Sequence, residues 1–269
     1  MSQTPPPHTQ PPHVSAWLQR GFLRHVRRML RSQFHSIAIA REERFDKQIP
    51  SSEPLIVYGN HPSWWDPLLA HFLNHELFPA RQFYAPIDAS ALAQYRVFGK
   101  LGFFAVSLDS ASGASAFLKQ SRAIVMSENS SLWLTPEGRF VDVRDSQVPL
   151  RPGLAHLCSR LDRGWVMPMC MEYVFWEERL PECLCKMGEP FRIPLREPFT
   201  KDQWNDRLHG RLRETQQALA ALVIARQAEQ FECLLAGRKG GGAMYDLFRR
   251  VRSLTSGQRY RPSHGTKFE

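Results

Sequence analysis

The sequence predicts an α/β protein with a mostly parallel central sheet flanked by helices. Short apolar runs of strand length alternate with segments of helical periodicity, which is typical of such sheets. The chain has 269 residues, 43% of them hydrophobic and 23% charged, so it can bury a sizeable core in one large domain. No apolar run approaches the roughly 18–20 residues that a membrane span needs. We expect residues 45–236 to form the folded domain.

The two ends of the chain carry nearly all of its positive charge, which totals +9. Residues 1–44 contain seven Arg and two Glu, and residues 238–269 contain eight Lys or Arg and two acids. The centre between them is nearly neutral. Basic arms of this kind favour contact with an anionic membrane surface. They do not favour a nucleic-acid-binding protein, because the ends lack interleaved stacking aromatics.

The N-terminal region divides into two parts. Residues 1–13 are polar with five prolines and are expected to be a disordered tail. Residues 14–44 are expected to form a basic amphipathic helical segment, with the helical pattern over 14–40. Its apolar stripe comprises Leu18, Phe22, Val26, Met29 and Leu30, and arginines fill the other faces. Such a helix either lies in a membrane interface or packs its stripe on the protein core.

The stretch from Asn60 to Asp66 is the strongest candidate for a site. It follows Leu55–Tyr58, an apolar run that predicts a buried strand, and it precedes a helix predicted over about 65–77. A chain reversal would bring Asp66 to one ring nitrogen of His61, leaving the other nitrogen to take a proton near neutral pH. Ser63 and Asp66 also fit a capping box, and the two interpretations can coexist.

The remaining elements follow from the same patterns. We expect a long helix over 201–236 and a flexible basic C-terminal tail over 237–269 with a short helix at 245–252. The expected strands are 81–86, 103–108, 132–134, 165–171 and 184–187; a short helix at 90–98, a loop at 141–152 and a helix starting near 151 complete the set.

Four sequence blocks in order resemble those of the glycerolipid acyltransferases, the family that contains the lysophosphatidate acyltransferases. The first is Asn-His-x4-Asp at Asn60, His61 and Asp66, and the third is Pro-Glu-Gly at 136–138, about 70 residues later. Residues 102–106 resemble the second block and residues 166–169 the fourth. The resemblance covers roughly residues 50–195.

The resemblance implies acyl transfer from a thioester, acyl-CoA or acyl carrier protein, to a lipid hydroxyl such as that of a lysophospholipid. His61 would be the general base and Asp66 would orient it, while Asn60 would order the turn. No cofactor is implied beyond the thioester co-substrate. The implied substrate-binding residues are Asn60, Lys100, Gly102, Phe103, Glu137, Gly138 and Arg139, with Glu137 accepting a hydrogen bond from the acceptor hydroxyl.

Two departures from the family pattern concern the acceptor. The second block lacks the arginine that usually helps to hold the acceptor phosphate, and in the third block Arg139 stands one position early. Lys100 and Arg139 are alternative anion contacts. A glycolipid or carotenoid-type acceptor therefore stays open, as does a non-catalytic membrane-surface protein on the same scaffold.

A metal site is not predicted. His71 and His75 have helical i, i+4 spacing but lack a complete ligand set, so we expect ordinary helix-surface histidines. Five cysteines without framework spacing are expected to be free thiols in a reducing compartment. With no signal peptide recognised, the predicted location is cytoplasmic, peripheral on the inner face of the membrane.

Overall fold

The computed structural model describes residues 10–42, 45, 48–107, 110–193 and 199–238. Nine strands in these residues form one sheet, in the order β4-β3-β5-β2-β6-β7-β1-β9, with β8 pairing with β6. The strands are β1 (Ser36–Ala40), β2 (Leu55–Tyr58), β3 (Gln82–Asp88), β4 (Phe103–Val106), β5 (Ser130–Leu134), β6 (Trp165–Val174), β7 (Glu182–Met187), β8 (Phe191–Arg192) and β9 (Phe231–Ala236). The helices are α1 (Ala16–Gln33), α2 (Asp66–Leu77), α3 (Ala89–Gln94), α4 (Ala111–Val125), α5 (Gly153–Cys158) and α6 (Lys201–Ile224).

The centre of the sheet is parallel, as the sequence predicted. β2 pairs in parallel with both β5 and β6, and β3 pairs in parallel with β4 and β5. Antiparallel pairing is confined to β6 with β7 and β8 and to β1 with β9. Because the carboxyl ends of neighbouring parallel strands meet at one edge, the turns after β2 and β5 lie side by side.

The core lies on both faces of the sheet. One apolar cluster joins the sheet to α4, α5 and α6, and the other joins it to α1 and α2. β2 is buried along its whole length, which explains why its sequence is continuously apolar instead of alternating. Buried strands of this kind hold the turns at their ends in fixed positions.

The last parts of two predicted helices are strands in the structure. The predicted helix over 14–40 ends at Gln33, and Ser36–Ala40 forms β1; the predicted helix over 201–236 ends at Ile224, and Phe231–Ala236 forms β9. β1 and β9 pair with each other. Short apolar runs fit a buried helix and a buried strand equally well, so tertiary pairing decided both cases. Since β1 belongs to the sheet, residues 14–44 are not a purely helical addition to a domain that begins at 45.

The apolar stripe of α1 packs on the protein. Leu23, Val26 and Leu30 are buried, and Phe22 contacts the rings of His71 and Phe98. The interpretation that this stripe lies in a membrane interface is therefore wrong, and the alternative interpretation, that it packs on the protein core, is correct. The arginines of the opposite face stay exposed, with the exception of Arg27, which pairs with Glu76 on α2.

The ends of the chain are only partly described. Residues 10–13 of the expected disordered tail are described, and the Pro12 carbonyl accepts a hydrogen bond from the Tyr84 hydroxyl. Gly237 and Arg238 at the start of the expected C-terminal tail donate backbone hydrogen bonds to the His35 and Arg31 carbonyls. Residues 1–9, the rest of the C-terminal tail and its expected helix at 245–252 lie outside the described residues. No helix among the described residues is long and apolar enough to span a membrane.

Candidate active site

His61 and Asp66 form a hydrogen-bonded pair at the carboxyl end of β2. His61 Nδ1 lies 2.6 Å from Asp66 Oδ2. Asp66 is 1% exposed and His61 19%, so the carboxylate is shielded while the imidazole reaches solvent. Nε2 of His61 makes no hydrogen bond to the residues that the structure describes. This geometry fits a general base whose orientation and developing charge are controlled by a buried carboxylate.

The turn that carries this pair is held by backbone contacts. The Asn60 side chain donates to the Met171 carbonyl and accepts from the Met171 N–H, both at 2.9 Å, so it continues the β2–β6 ladder past the end of β2. A Cβ on Gly59 would come within 2.3 Å of the Met169 carbonyl oxygen, so only glycine fits there. The Asn60 side chain therefore ties the turn to β6.

The capping box predicted with Ser63 as N-cap does not form, because α2 begins at Asp66 and its N-cap residue Trp65 makes no side-chain cap. Asp66 Oδ2 accepts from the Ser63 N–H at 3.0 Å as well as facing His61, while Ser63 Oγ accepts from the Trp65 N–H. One carboxylate oxygen thus closes the turn and orients the imidazole.

Glu137 is completely buried behind the turn instead of facing a substrate. Its Oε2 accepts the His61 N–H at 2.9 Å, and its Oε1 accepts from Arg213 Nη1 on α6 at 2.9 Å. Both carboxylate oxygens are occupied and the side chain is 0% exposed. Glu137 therefore does not face an acceptor hydroxyl as expected; it fixes the backbone of His61.

Arg213 is a site residue that sequence reasoning missed. Besides Glu137, its guanidinium donates to the Gln216 side chain and to the Val148 carbonyl, at 2.5 and 2.6 Å. It therefore ties α6 to the loop after β5 and to the third sequence block. An arginine within a long helical pattern gives no sequence signal for such a contact.

Tyr173 on β6 was also missed. Its hydroxyl donates to Asp66 Oδ1 at 2.5 Å. Burial raises the pKa of Tyr173 well above its usual value, and the nearby Cys183 and Asp66 add to the shift. The phenol therefore keeps its proton and acts as a donor to the carboxylate.

Two adjoining cavities open beside the histidine. The first, of about 270 Å³, is lined by both members of the catalytic pair and by apolar groups of β3, β5 and β6. The second, of about 260 Å³, is mainly apolar and runs toward α4 and α5. Both are lined by Pro86, Val106, Leu134, Thr135 and Gly138.

The structure brings some predicted substrate residues to this edge and leaves others away from it. Gly138 has φ +66° and lies in contact with the Arg151 side chain, and Arg139 next to it is exposed. Lys100 precedes β4 on the amino side of the parallel strands, whereas His61 follows the carboxyl end of β2. A role for Lys100 in this site is therefore not supported.

Gly102 and Phe103 are structural. Gly102 has φ +101°, and a Cβ there would lie 2.2 Å from the Phe83 carbonyl oxygen. Phe103 is 3% exposed and packs its ring edge-on against Phe83. Neither residue lines the two cavities, so their assignment to substrate binding is corrected to a packing role.

The described residues contain no group of three or more His, Cys, Asp or Glu side chains that could hold a metal. His71 is not on the helix surface as expected: it is 2% exposed, wedged between the rings of Phe22 and Phe83. Burial lowers its pKa to about 4. His75 is exposed.

Comparisons with known proteins give one family match and one structural match. A family profile described as Acyltransferase matches residues 40–172. Among curated proteins, none matches the sequence significantly. The fold is similar to a crystal structure of the 1-acyl-sn-glycerophosphate (LPA) acyltransferase, PlsC, from Thermotoga maritima. The TM-score is 0.51 and the identity 13%, with 76% of this chain and 79% of the other covered.

Proposed function

We propose that the chain moves a fatty acyl group from a thioester to the hydroxyl of a lipid acceptor, and the match of residues 40–172 to the Acyltransferase profile supports this proposal. The observation that carries the proposal is the His61–Asp66 pair, with one ring nitrogen engaged and the other beside a cavity. The thioester is acyl-CoA or an acyl carrier protein. No protein nucleophile is required, since the acceptor hydroxyl itself attacks.

The proposed reaction uses His61 twice. Nε2 takes the proton of the acceptor hydroxyl while the oxygen attacks the thioester carbonyl, and Asp66 stabilises the resulting imidazolium. The tetrahedral intermediate then collapses, the C–S bond breaks, and the leaving thiolate receives the proton from His61. General-base catalysis contributes about 10²–10⁴-fold, and much of the rest comes from holding two substrates in line.

The second, mainly apolar cavity is the proposed place for the acyl chain. This second cavity adjoins the first one, which is lined by His61 and is called the histidine cavity below, and the two share part of their lining. An acyl chain seated in the second cavity would therefore leave its carbonyl carbon near His61. The part of its wall that lies toward α4 and α5 includes the apolar side chains of Ala114, Phe117 and Leu154. Burial of methylene groups against such a wall contributes roughly 0.8 kcal/mol each.

A lysophospholipid-like acceptor is proposed, with Arg139 as the contact for its phosphate. The residue follows Gly138 directly and is exposed at the edge that carries His61. The Arg151 side chain lies against Gly138 and adds positive charge there. A glycolipid or carotenoid-type hydroxyl is the alternative, because Lys100 does not reach this edge.

A peripheral position on an anionic membrane surface, on the cytoplasmic face, is part of the proposal. The exposed arginines of α1 supply positive charge. Exposed aromatic side chains also follow three neighbouring strands at the edge of the site: Trp64 after β2, Phe140 after β5 and Phe175 after β6. Aromatic side chains of this kind favour the interface between lipid and water.

The test is thiol release from long-chain acyl-CoA and acyl carrier protein with lysolipid, glycolipid and carotenoid-type acceptors. We expect acceptor-dependent release that falls at least about 100-fold in His61→Ala. His75→Ala, which changes an exposed histidine on α2, is the matched control and should keep full activity. Arg139→Ala should raise KM for phosphate-bearing acceptors alone. Release that is absent with every acceptor, or unchanged in His61→Ala, would overturn the proposal.

A further inference from the structure

We propose that Tyr173 is a positioning residue for the acyl transfer, acting on His61 through Asp66. The inference rests on the proposed function for the reaction itself. The relay it adds, from phenol to carboxylate to imidazole, stands on the geometry of three side chains.

Asp66 receives its hydrogen bonds from two directions. Oδ2 faces His61 Nδ1 and the Ser63 N–H, both of which belong to the same turn. Oδ1 accepts from the Tyr173 hydroxyl, which comes from β6. Among the described residues, Tyr173 is the donor that fixes the carboxylate relative to the sheet, because the other two move with the turn.

β6 holds this turn through backbone and side-chain contacts. Its first residues pair with β2 up to Tyr58 and Pro168, and the strand then runs on to Val174 beside the chain reversal. Met171 locks to the Asn60 side chain through its backbone. Side chains alternate along a strand, so Tyr173 shares a face with Met171, which lines the histidine cavity. The backbone and the phenol of one strand therefore fix both ends of the turn.

The phenol has two physical effects on the pair. It holds the carboxylate plane so that Oδ2 meets Nδ1, and it draws electron density from the carboxylate. Without the phenol, Asp66 is a stronger acceptor and holds the imidazolium form of His61 more tightly. The imidazole is then also less well aligned for the hydroxyl.

The other groups near Tyr173 do not obscure its effect on Asp66 and His61. Cys183 and Cys185 on β7 lie near its ring, and Phe34 at the end of α1 packs against it. Burial raises the pKa of the Cys183 thiol well above its usual value, so that thiol stays neutral. On the far side of His61, Glu137 contacts the backbone N–H and is paired with Arg213.

The experiment compares Tyr173→Phe with Tyr58→Phe. Both variants remove one buried phenol hydroxyl, but Tyr58 donates to the Leu208 carbonyl at 3.1 Å, away from the catalytic pair. We expect Tyr173→Phe to lower kcat about tenfold with KM within about twofold, and to move the acid limb of the pH–rate profile to higher pH. Tyr58→Phe should change neither.

Two further measurements separate this proposal from simple packing and from the proposed function. In an Asp66→Asn background, the effect of Tyr173→Phe on kcat should largely disappear, because the relay is already broken. The NMR resonance of the His61 Nδ1 proton should shift in Tyr173→Phe and stay in place in Tyr58→Phe, whatever the enzyme's substrate. Equal effects of the two Tyr→Phe variants, or an unmoved resonance, would overturn the relay; a shifted resonance without any acyl transfer would instead overturn the proposed function.

Discussion

Replacement of Arg213 by methionine tests whether the turn that carries His61 depends on α6. The substitution keeps most of the side-chain length but removes the guanidinium. Glu137 then loses the donor to its Oε1, and the Gln216 amide and the Val148 carbonyl lose theirs. Only the His61 N–H stays on the buried carboxylate.

The expected cost is large because neither partner reaches water. Glu137 is 0% and Arg213 7% exposed, and breaking a buried ion pair by removing one partner costs about 3–5 kcal/mol. For a domain of this size that corresponds to a fall in Tm of roughly 10 °C. Activity should fall as well, because the Glu137 carboxylate that loses its cationic partner is the one that accepts the hydrogen bond from the His61 backbone N–H.

The assay is urea and thermal unfolding followed by circular dichroism, with acyl transfer measured on the same samples. Arg211→Met is the matched control: it lies two positions away on the same helix, and its pairs with Glu189 and Glu214 are partly solvent-exposed. Its expected cost is below about 1 kcal/mol. In the double variant Glu137→Gln/Arg213→Met, the neutral amide still accepts the His61 N–H, so part of the lost stability should return. Equal costs for the two arginines, or strictly additive costs in the double variant, would refute the reasoning.

Three other predictions follow from burial and close contact. His71 is neutral in the fold with its pKa lowered to about 4 from 6.5, while the unfolded chain binds the proton below pH 6.5. The free energy of unfolding should therefore fall by about 3 kcal/mol as pH drops from 6.5 to 4, and His71→Leu should flatten this part of the urea-midpoint curve. Gly59→Ala should displace the catalytic turn and abolish most thiol release, whereas Gly99→Ala, which meets nothing within 4 Å, should not. Trp64→Ser and Phe140→Ser should each weaken binding to anionic vesicles severalfold in a flotation assay, and unchanged binding would exclude this edge as the membrane contact.

The contact between His61 and Asp66 was predictable because the two residues are close in sequence. A histidine and an aspartate five residues apart on a strand–turn–helix segment can meet only in a few ways, and the 2.6 Å contact is one of them. The parallel centre of the sheet was predictable for a similar reason, since alternating apolar runs and helical patterns leave few other arrangements. The profile match to acyltransferases confirms the resemblance that the sequence blocks indicated.

The residues that support the pair could not be predicted, because they come from distant parts of the chain. Tyr173 and Arg213 reach the site through strand register and helix packing, which no local pattern encodes. The error over Glu137 has the same origin: the third block correctly marked the residue, but only the position of α6 reveals that both of its oxygens are occupied. Lys100 was assigned to the wrong edge because being near a strand end does not specify which end.

The extent of the supporting contacts bears on what the catalytic unit is. The family match ends at residue 172, yet both buried carboxylates of the site take a donor from beyond that point, Asp66 from Tyr173 and Glu137 from Arg213. A buried carboxylate that loses a donor destabilises the fold around it, so a segment ending at 172 would contain Asp66 and Glu137 without part of the contacts that hold them. The smallest unit with a complete site therefore runs through β7 and β8 to at least Gln216 of α6, and variation in this later part of the chain can alter the chemistry without touching any of the four sequence blocks.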